Sequence, residues 1–209
     1  LDPVIDAYYA RNNNVAFTLQ SEDTLLIGTS GEVTDLLTHI GANNNLQLTN
    51  QAITINSAVG LSAANAKTIA ADTTGTVTAT IATSARVADL TELRQPNAGV
   101  DEVNAFTIVI STDDASSSAA DLNTINDATS VAVDASAVTT VSSSTMAAVG
   151  TLLTSGVATT PREFTNGSFA SMTSLTVSSA AIDVTDLNTA ITNANSLASG
   201  TPVFTLSDG

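Results

Sequence analysis

The chain offers one imidazole, His39, and no cysteine, so proton-shuttling chemistry has a single place to start and thiolate chemistry has none. A Ser-His-Asp nucleophile would need His39 to meet a serine on a strained turn, and no Gly-x-Ser-x-Gly elbow occurs. His39 follows Asp35-Leu36 on the same expected helix, where a surface or capping role accounts for it. Metal centres built on His or Cys are excluded by number. Carboxylates are more plentiful, with neighbouring pairs at Glu22-Asp23, Asp101-Glu102 and Asp113-Asp114 that carry the hard oxygen donors calcium takes. None of them has EF-hand spacing, and the Gly-Gly-x-Gly-x-Asp nonapeptides of calcium-binding β-rolls are missing. Solvated turn residues are therefore the favoured reading, with calcium held at Asp101, Glu102, Asp113 and Asp114 as the alternative. No other cofactor is expected.

Paired carboxylates also serve glycosidases. Sugar rings, however, are normally held on aromatic faces, and the chain has no Trp and 2 Tyr. Phosphate-binding loops and dinucleotide fingerprints are absent. The run Thr76-Val77-Thr78-Ala79-Thr80 puts its threonines on one face of a strand, as an ice-binding or crystal-binding plane requires. The neighbouring runs Ala52-Ile53-Thr54-Ile55 and Phe106-Thr107-Ile108-Val109 offer single threonines, so β-propensity explains the run better than a plane does. No residue is expected to be catalytic, and the protein is expected not to be an enzyme.

Whatever these groups do, they must be held by a core of unusual make-up. The 209 residues are 43% hydrophobic but only 3% aromatic, so Ala, Val, Leu and Ile must fill the interior in thin, regular layers. The formal charge is −15, which disfavours phosphate backbones and anionic membranes as partners. Arg11, Lys67, Arg86, Arg94 and Arg162 are scattered and build no basic patch. No apolar run approaches the roughly 20 residues of a membrane span, so no membrane insertion is expected. The opening Leu1-Asp2-Pro3, without Met or signal peptide, suggests a processed or excised chain.

Residues 1–14 are expected to form a capping helix, with Asp2 as N-cap, Pro3 in the first turn and Val4, Ile5, Tyr8 and Tyr9 on one face. Strand-like runs then recur at residues 15–20, 52–56, 76–81, 106–111, 131–135, 175–178 and 203–206. Between them a degenerate helical motif returns, a small or branched pair followed by Asp-Leu, at Asp35-Leu36, Asp89-Leu90, Asp121-Leu122 and Asp186-Leu187. The long separations between these aspartates are about twice the short one. A decayed unit is therefore expected in each long gap, at residues 62–69 and 144–153. Residues 157–170, with Pro161, Arg162, Glu163 and Asn166-Gly167-Ser168, break the pattern and read as an inserted loop.

These Ala/Thr/Ser/Asp-rich units, with Ala-Ala-Asp-Leu helices and Val-x-Val or Thr-x-Val strands, resemble the repetitive regions of very large bacterial surface proteins. The likeness is to cyanobacterial cell-surface, S-layer-like and motility-associated proteins. That resemblance implies secretion to the cell surface, a structural or adhesive role and calcium-dependent assembly, and no catalytic residue carries over from it.

The resulting expectation is a repeat protein: a right-handed β/α solenoid of six to seven units over residues 15–209, with parallel strands on one side and short helices on the other. The expected function is that of an extracellular structural or adhesive protein that self-associates into a layer or filament. A carbohydrate-active enzyme or a calcium-dependent adhesin on the same solenoid is the alternative. The last strand has no helix after it, so Val203, Phe204 and Leu206 are expected to be buried against another copy or the neighbouring repeat of a longer chain.

Overall fold

The computed structural model describes residues 17–18, 25–40, 46–48, 50–93, 104–159, 163–178 and 181–207. The expected capping helix at residues 1–14 lies outside them. In chain order the elements begin β1 (Phe17–Thr18), β2 (Leu25–Ile27), α1 (Ser30–Ile40), β3 (Leu46–Gln47), β4 (Ile53–Ile55), α2 (Ala63–Ala71) and β5 (Val77–Thr80). After these come α3 (Val87–Leu90), β6 (Ala105–Thr107), β7 (Ser116–Ser118), α4 (Ala119–Asn126) and β8 (Thr140–Ser144). The chain continues through α5 (Met146–Val157), β9 (Ser174–Ser178), α6 (Val184–Leu197) and β10 (Val203–Ser207).

Short polar side chains start the helices. The Ser62 hydroxyl accepts from the Asn65 amide, Thr145 from Ala148, and the Asp183 carboxylate from Thr185. Each supplies an acceptor to a first-turn N–H that has no partner inside the helix. Thr29 and Glu32 do this reciprocally ahead of α1: the Glu32 amide donates to the Thr29 hydroxyl, and the Glu32 carboxylate accepts from the Thr29 amide. All four Asp-Leu pairs lie on helices, and Leu36, Leu90 and Leu122 are buried while Leu187 is half-exposed. Threonines such as Thr34, Thr68, Thr124 and Thr151 tolerate the helix interior because each donates its hydroxyl to the carbonyl four residues back.

The expected solenoid does not form. The strands are parallel, but they are not curled into one continuous coil. They divide into two separate four-stranded sheets, ordered β2-β4-β5-β6 and β7-β8-β9-β10, with β1 and β3 as a two-stranded ladder. The molecule is a small α/β fold rather than a β-solenoid. Past β6 the first sheet thins from a full ladder to single bridges. A fifth strand would need the outward N–H and C=O of Phe106, and the Thr129 hydroxyl occupies both, accepting from the amide at 2.8 Å and donating to the carbonyl at 2.7 Å. Beside it, the Ser130 amide donates to the Asn104 carbonyl at 2.9 Å. Farther along the same edge Asp134 donates its amide to the Ile108 carbonyl at 3.0 Å and accepts from the Ile110 amide at 2.8 Å, and β7 begins a second sheet that grows forward to β10. Residues 131–135, expected as a strand, contribute only isolated bridges, Val109 to Asp134 and Val133 to Phe164.

The interior is the aliphatic layer that the composition requires, with inward residues of alternate strand positions packed on one face of each helix. Its largest side chains come from segments other than the repeating motif. Phe164 and Phe169, in the stretch expected as a loop, are buried and meet edge to face with centroids 5.1 Å apart. Two glycines are set by close approach. A Cβ on Gly75 would lie 2.2 Å from the Gln51 carbonyl oxygen, and Gly60, at φ +73, faces the Ala82 backbone.

Candidate functional site

Between the first sheet and the second, α3 faces the turn before β7, and Arg86 there forms ion pairs with Asp113 and Asp114. Arg86, just ahead of α3, reaches 28 residues forward to Asp114. Its Nε and Nη2 both donate to the Asp114 carboxylate, at 3.0 to 3.1 Å and 2.8 Å. Nη2 also donates to the Asp113 carbonyl at 3.0 Å. The same carboxylate accepts from the Val87 amide at 2.9 Å, so it caps the first turn of α3 from the turn before β7. Hydrogen bonding to the Arg86 guanidinium holds the Asp114 carboxyl below its ordinary range and pushes the arginine up.

Next to this pair an open depression of about 470 Å³ is lined by Val87, Thr91, Asp114, Ser116, Ser118 and Asp121. Its carboxylates are already engaged. Asp121 accepts the Ser118 hydroxyl at 2.7 Å, while its amide donates back to Ser118, closing the N-cap of α4. Ser144 repeats on α4 what Asp114 does on α3, accepting the Ala119 amide at 2.9 Å from the following unit. The arrangement ties neighbouring elements together, and the Ser118 hydroxyl and Asp121 carboxylate are committed to the start of α4.

The carboxylates considered as calcium ligands are not gathered into one site. Asp113 and Asp114 are adjacent, but the Arg86 cation sits against them. Asp101, Glu102 and the Glu22-Asp23 pair lie outside the described residues. Among the described residues no group of three or more His, Cys, Asp or Glu side chains is placed to hold a metal ion. His39 is half-buried in the last turn of α1.

The residues considered for self-association are together. Val203, Phe204 and Leu206 lie on β10, which pairs only with β9 among the described strands. The Val203 amide donates to the Thr173 carbonyl on the inner side. In a parallel ladder the alternate residues Phe204 and Leu206 then aim their backbone groups at the open edge. Their side chains continue the inward face, in register with Leu175 and Val177, yet Leu206 is 55% exposed and Phe204 is half-exposed. Val203, on the outward face, is 64% exposed. Among the described residues Phe204 is packed in part against the core, and the full burial expected of Val203, Phe204 and Leu206 is not supplied. The preceding helix, α6, is thinly held, since only Ala190 and Ala194 of it are buried.

Sequence reasoning missed Arg86 as the clamp between α3 and the turn before β7, and Thr129 as the partner of the Phe106 backbone. Both act across more than 20 residues, and the only local signal was a basic residue directly before Val87 in a chain with 5 such residues. No family model, curated protein or solved structure matches the chain.

Proposed function

We propose that the chain is a structural and adhesive module of an extracellular surface layer or filament, associating with further copies of itself through β10. The observation that carries this is the state of that strand. It is a five-residue edge, Val-Phe-Thr-Leu-Ser, with no charge, proline or bulge within it. Those are the devices by which edge strands are ordinarily kept from pairing. Two of its inward side chains extend the core face without a covering helix. Pairing with a second copy would satisfy the free amides and carbonyls and remove Phe204 and Leu206 from water. A net charge of −15 opposes this at low ionic strength, and salt relieves the repulsion by shortening its range.

Sedimentation velocity over a concentration series, at low and at raised salt, tests the proposal. Larger species are expected at raised salt, and Phe204→Asp is expected to abolish them. A protein that stays monomeric throughout, or one whose assembly ignores Phe204→Asp, would overturn it.

A further inference from the structure

The outward face of the β7–β10 sheet is a hydroxyl array. One row across it reads Ser116, Thr140 and Ser174 and ends on Val203. In the next, Ser118 stands beside Ser142 and Thr176 beside Thr205, on either side of the irregularity in β8. Ser178 and Ser207 form a third. Val203 is the one outward position without a hydroxyl, and none of the four strands carries a charged residue in a chain with 20 acidic ones. The threonine run considered from the sequence has a smaller counterpart on the other sheet, where Thr54 pairs with Thr78 and Thr80 with Thr107.

These hydroxyls are also unspent. Helix threonines donate to their own backbone, and Thr73, Thr129 and Ser168 are tied into turns. On the array, by contrast, Ser116, Thr140, Ser142, Ser174, Thr176 and Thr205 have no side-chain hydrogen bond among the described residues, and only Ser118 and Ser207 at its margins do. The parallel ladder spaces them at about 4.8 Å across strands and about 6.6 Å along them. A hydroxyl donates one hydrogen bond and accepts two, much as a water molecule in a lattice both donates and accepts. Asp114 and Asp121 flank the array at its β7 margin; across β8, β9 and β10 the strands are uncharged, which does not match a charged partner. Polysaccharide chains are usually gripped by aromatic faces, and this face has none.

We propose that the outward face of the β7–β10 sheet binds the surface of crystalline water. The array holds a layer of ordered water that repeats with the sheet, and that layer merges with ice. This uses the broad face of the sheet, whereas self-association uses its rim, so either can fail without the other.

Ice-affinity partitioning tests it: the full chain, labelled at its N-terminal amine, is exposed to a slowly growing ice surface, and the ice and liquid fractions are compared. The wild type is expected to be enriched in the ice. Thr140→Lys and Thr176→Lys, which put charges into the array, are expected to lose that enrichment with an unchanged circular dichroism spectrum, and Thr151→Lys on exposed α5 is expected to keep it. Should either lysine prevent folding, the Thr140→Ala/Thr176→Ala pair removes hydroxyls with less disturbance and is expected to lose enrichment too. Exclusion of the wild type from ice, or enrichment that survives every folded change to this face, would overturn the proposal. So would retention on microcrystalline cellulose or chitin that the same changes abolish, which would assign the face to polysaccharide.

Discussion

Thr129→Val is nearly isosteric and makes the residue more apolar at a buried position, so hydrophobicity alone predicts a neutral or stabilising change. The geometry predicts the opposite. The hydroxyl accepts from the Phe106 amide, donates to the Phe106 carbonyl and accepts from the Val131 amide at 3.1 Å. Valine leaves all three without that partner, and Phe106 is fully buried. A buried polar group left unsatisfied costs about 1–3 kcal/mol. Allowing for some relaxation of the turn around Val131, the loss should be roughly 3 kcal/mol. At roughly 2–4 °C per kcal/mol for a domain of this size, the melting temperature should fall by roughly 6–12 °C. Thr129→Ser keeps the hydroxyl and gives up one methyl, for about 1 kcal/mol. Urea and thermal unfolding followed by circular dichroism would rank the three proteins wild type, serine, valine. A valine variant as stable as wild type, or more stable than the serine variant, would refute the claim that this hydroxyl satisfies the Phe106 backbone at the sheet edge.

Three further expectations follow from particular contacts. Gly75→Ala should destabilise the fold by more than the helix or strand propensity of alanine could repay, because the added Cβ meets the Gln51 backbone; a urea midpoint equal to wild type would contradict it. Phe169→Ala should cost about 3–5 kcal/mol through the cavity left beside Phe164, read as a lowered unfolding midpoint. Asp114 has a folded pKa lowered mainly by its hydrogen bonds to Arg86, so its contribution is fully present above the unfolded value of about 3.9 and fades as pH falls through the folded one. The stability gap between wild type and Asp114→Asn should therefore be constant near neutrality and close progressively below about pH 4.

Much of the helical layer was legible because it is local. An Asp near the N-terminus of a helix and a Leu on its inner face are close in sequence, and α1, α3, α4 and α6 lie where the Asp-Leu pairs stand. The decayed units at residues 62–69 and 144–153 coincide with α2 and α5 for the same reason. Strands rich in Val and Ile, such as β4 and β5, were readable from alternation. β7 and β8 were not, since Ser116-Ser117-Ser118 and Thr140-Val141-Ser142-Ser143-Ser144 have little intrinsic strand preference and are held by register with their neighbours. The replacement of ladder bonds at Phe106 by one hydroxyl was invisible because that hydroxyl lies 23 residues away. At the candidate site, Asp113-Asp114 looked like a free acidic pair until the chain brought Arg86 against it. The threonine run could be weighed only against the runs at residues 52–55 and 106–109, and only the register put the hydroxyl-bearing strands of the other sheet beside one another.

If β10 is an open edge on which a second copy completes the sheet, residue-resolved amide hydrogen exchange will read that edge amide by amide. Val203 donates within the sheet, and its amide and that of Thr205 should be protected in both dilute and assembled protein. The amides of Phe204 and Leu206 face the free edge; they should exchange rapidly in dilute protein at low salt and become protected when concentration and salt are raised. Protection of Phe204 and Leu206 already in the dilute monomer, or unchanged rapid exchange in the assembled material, would contradict the claim.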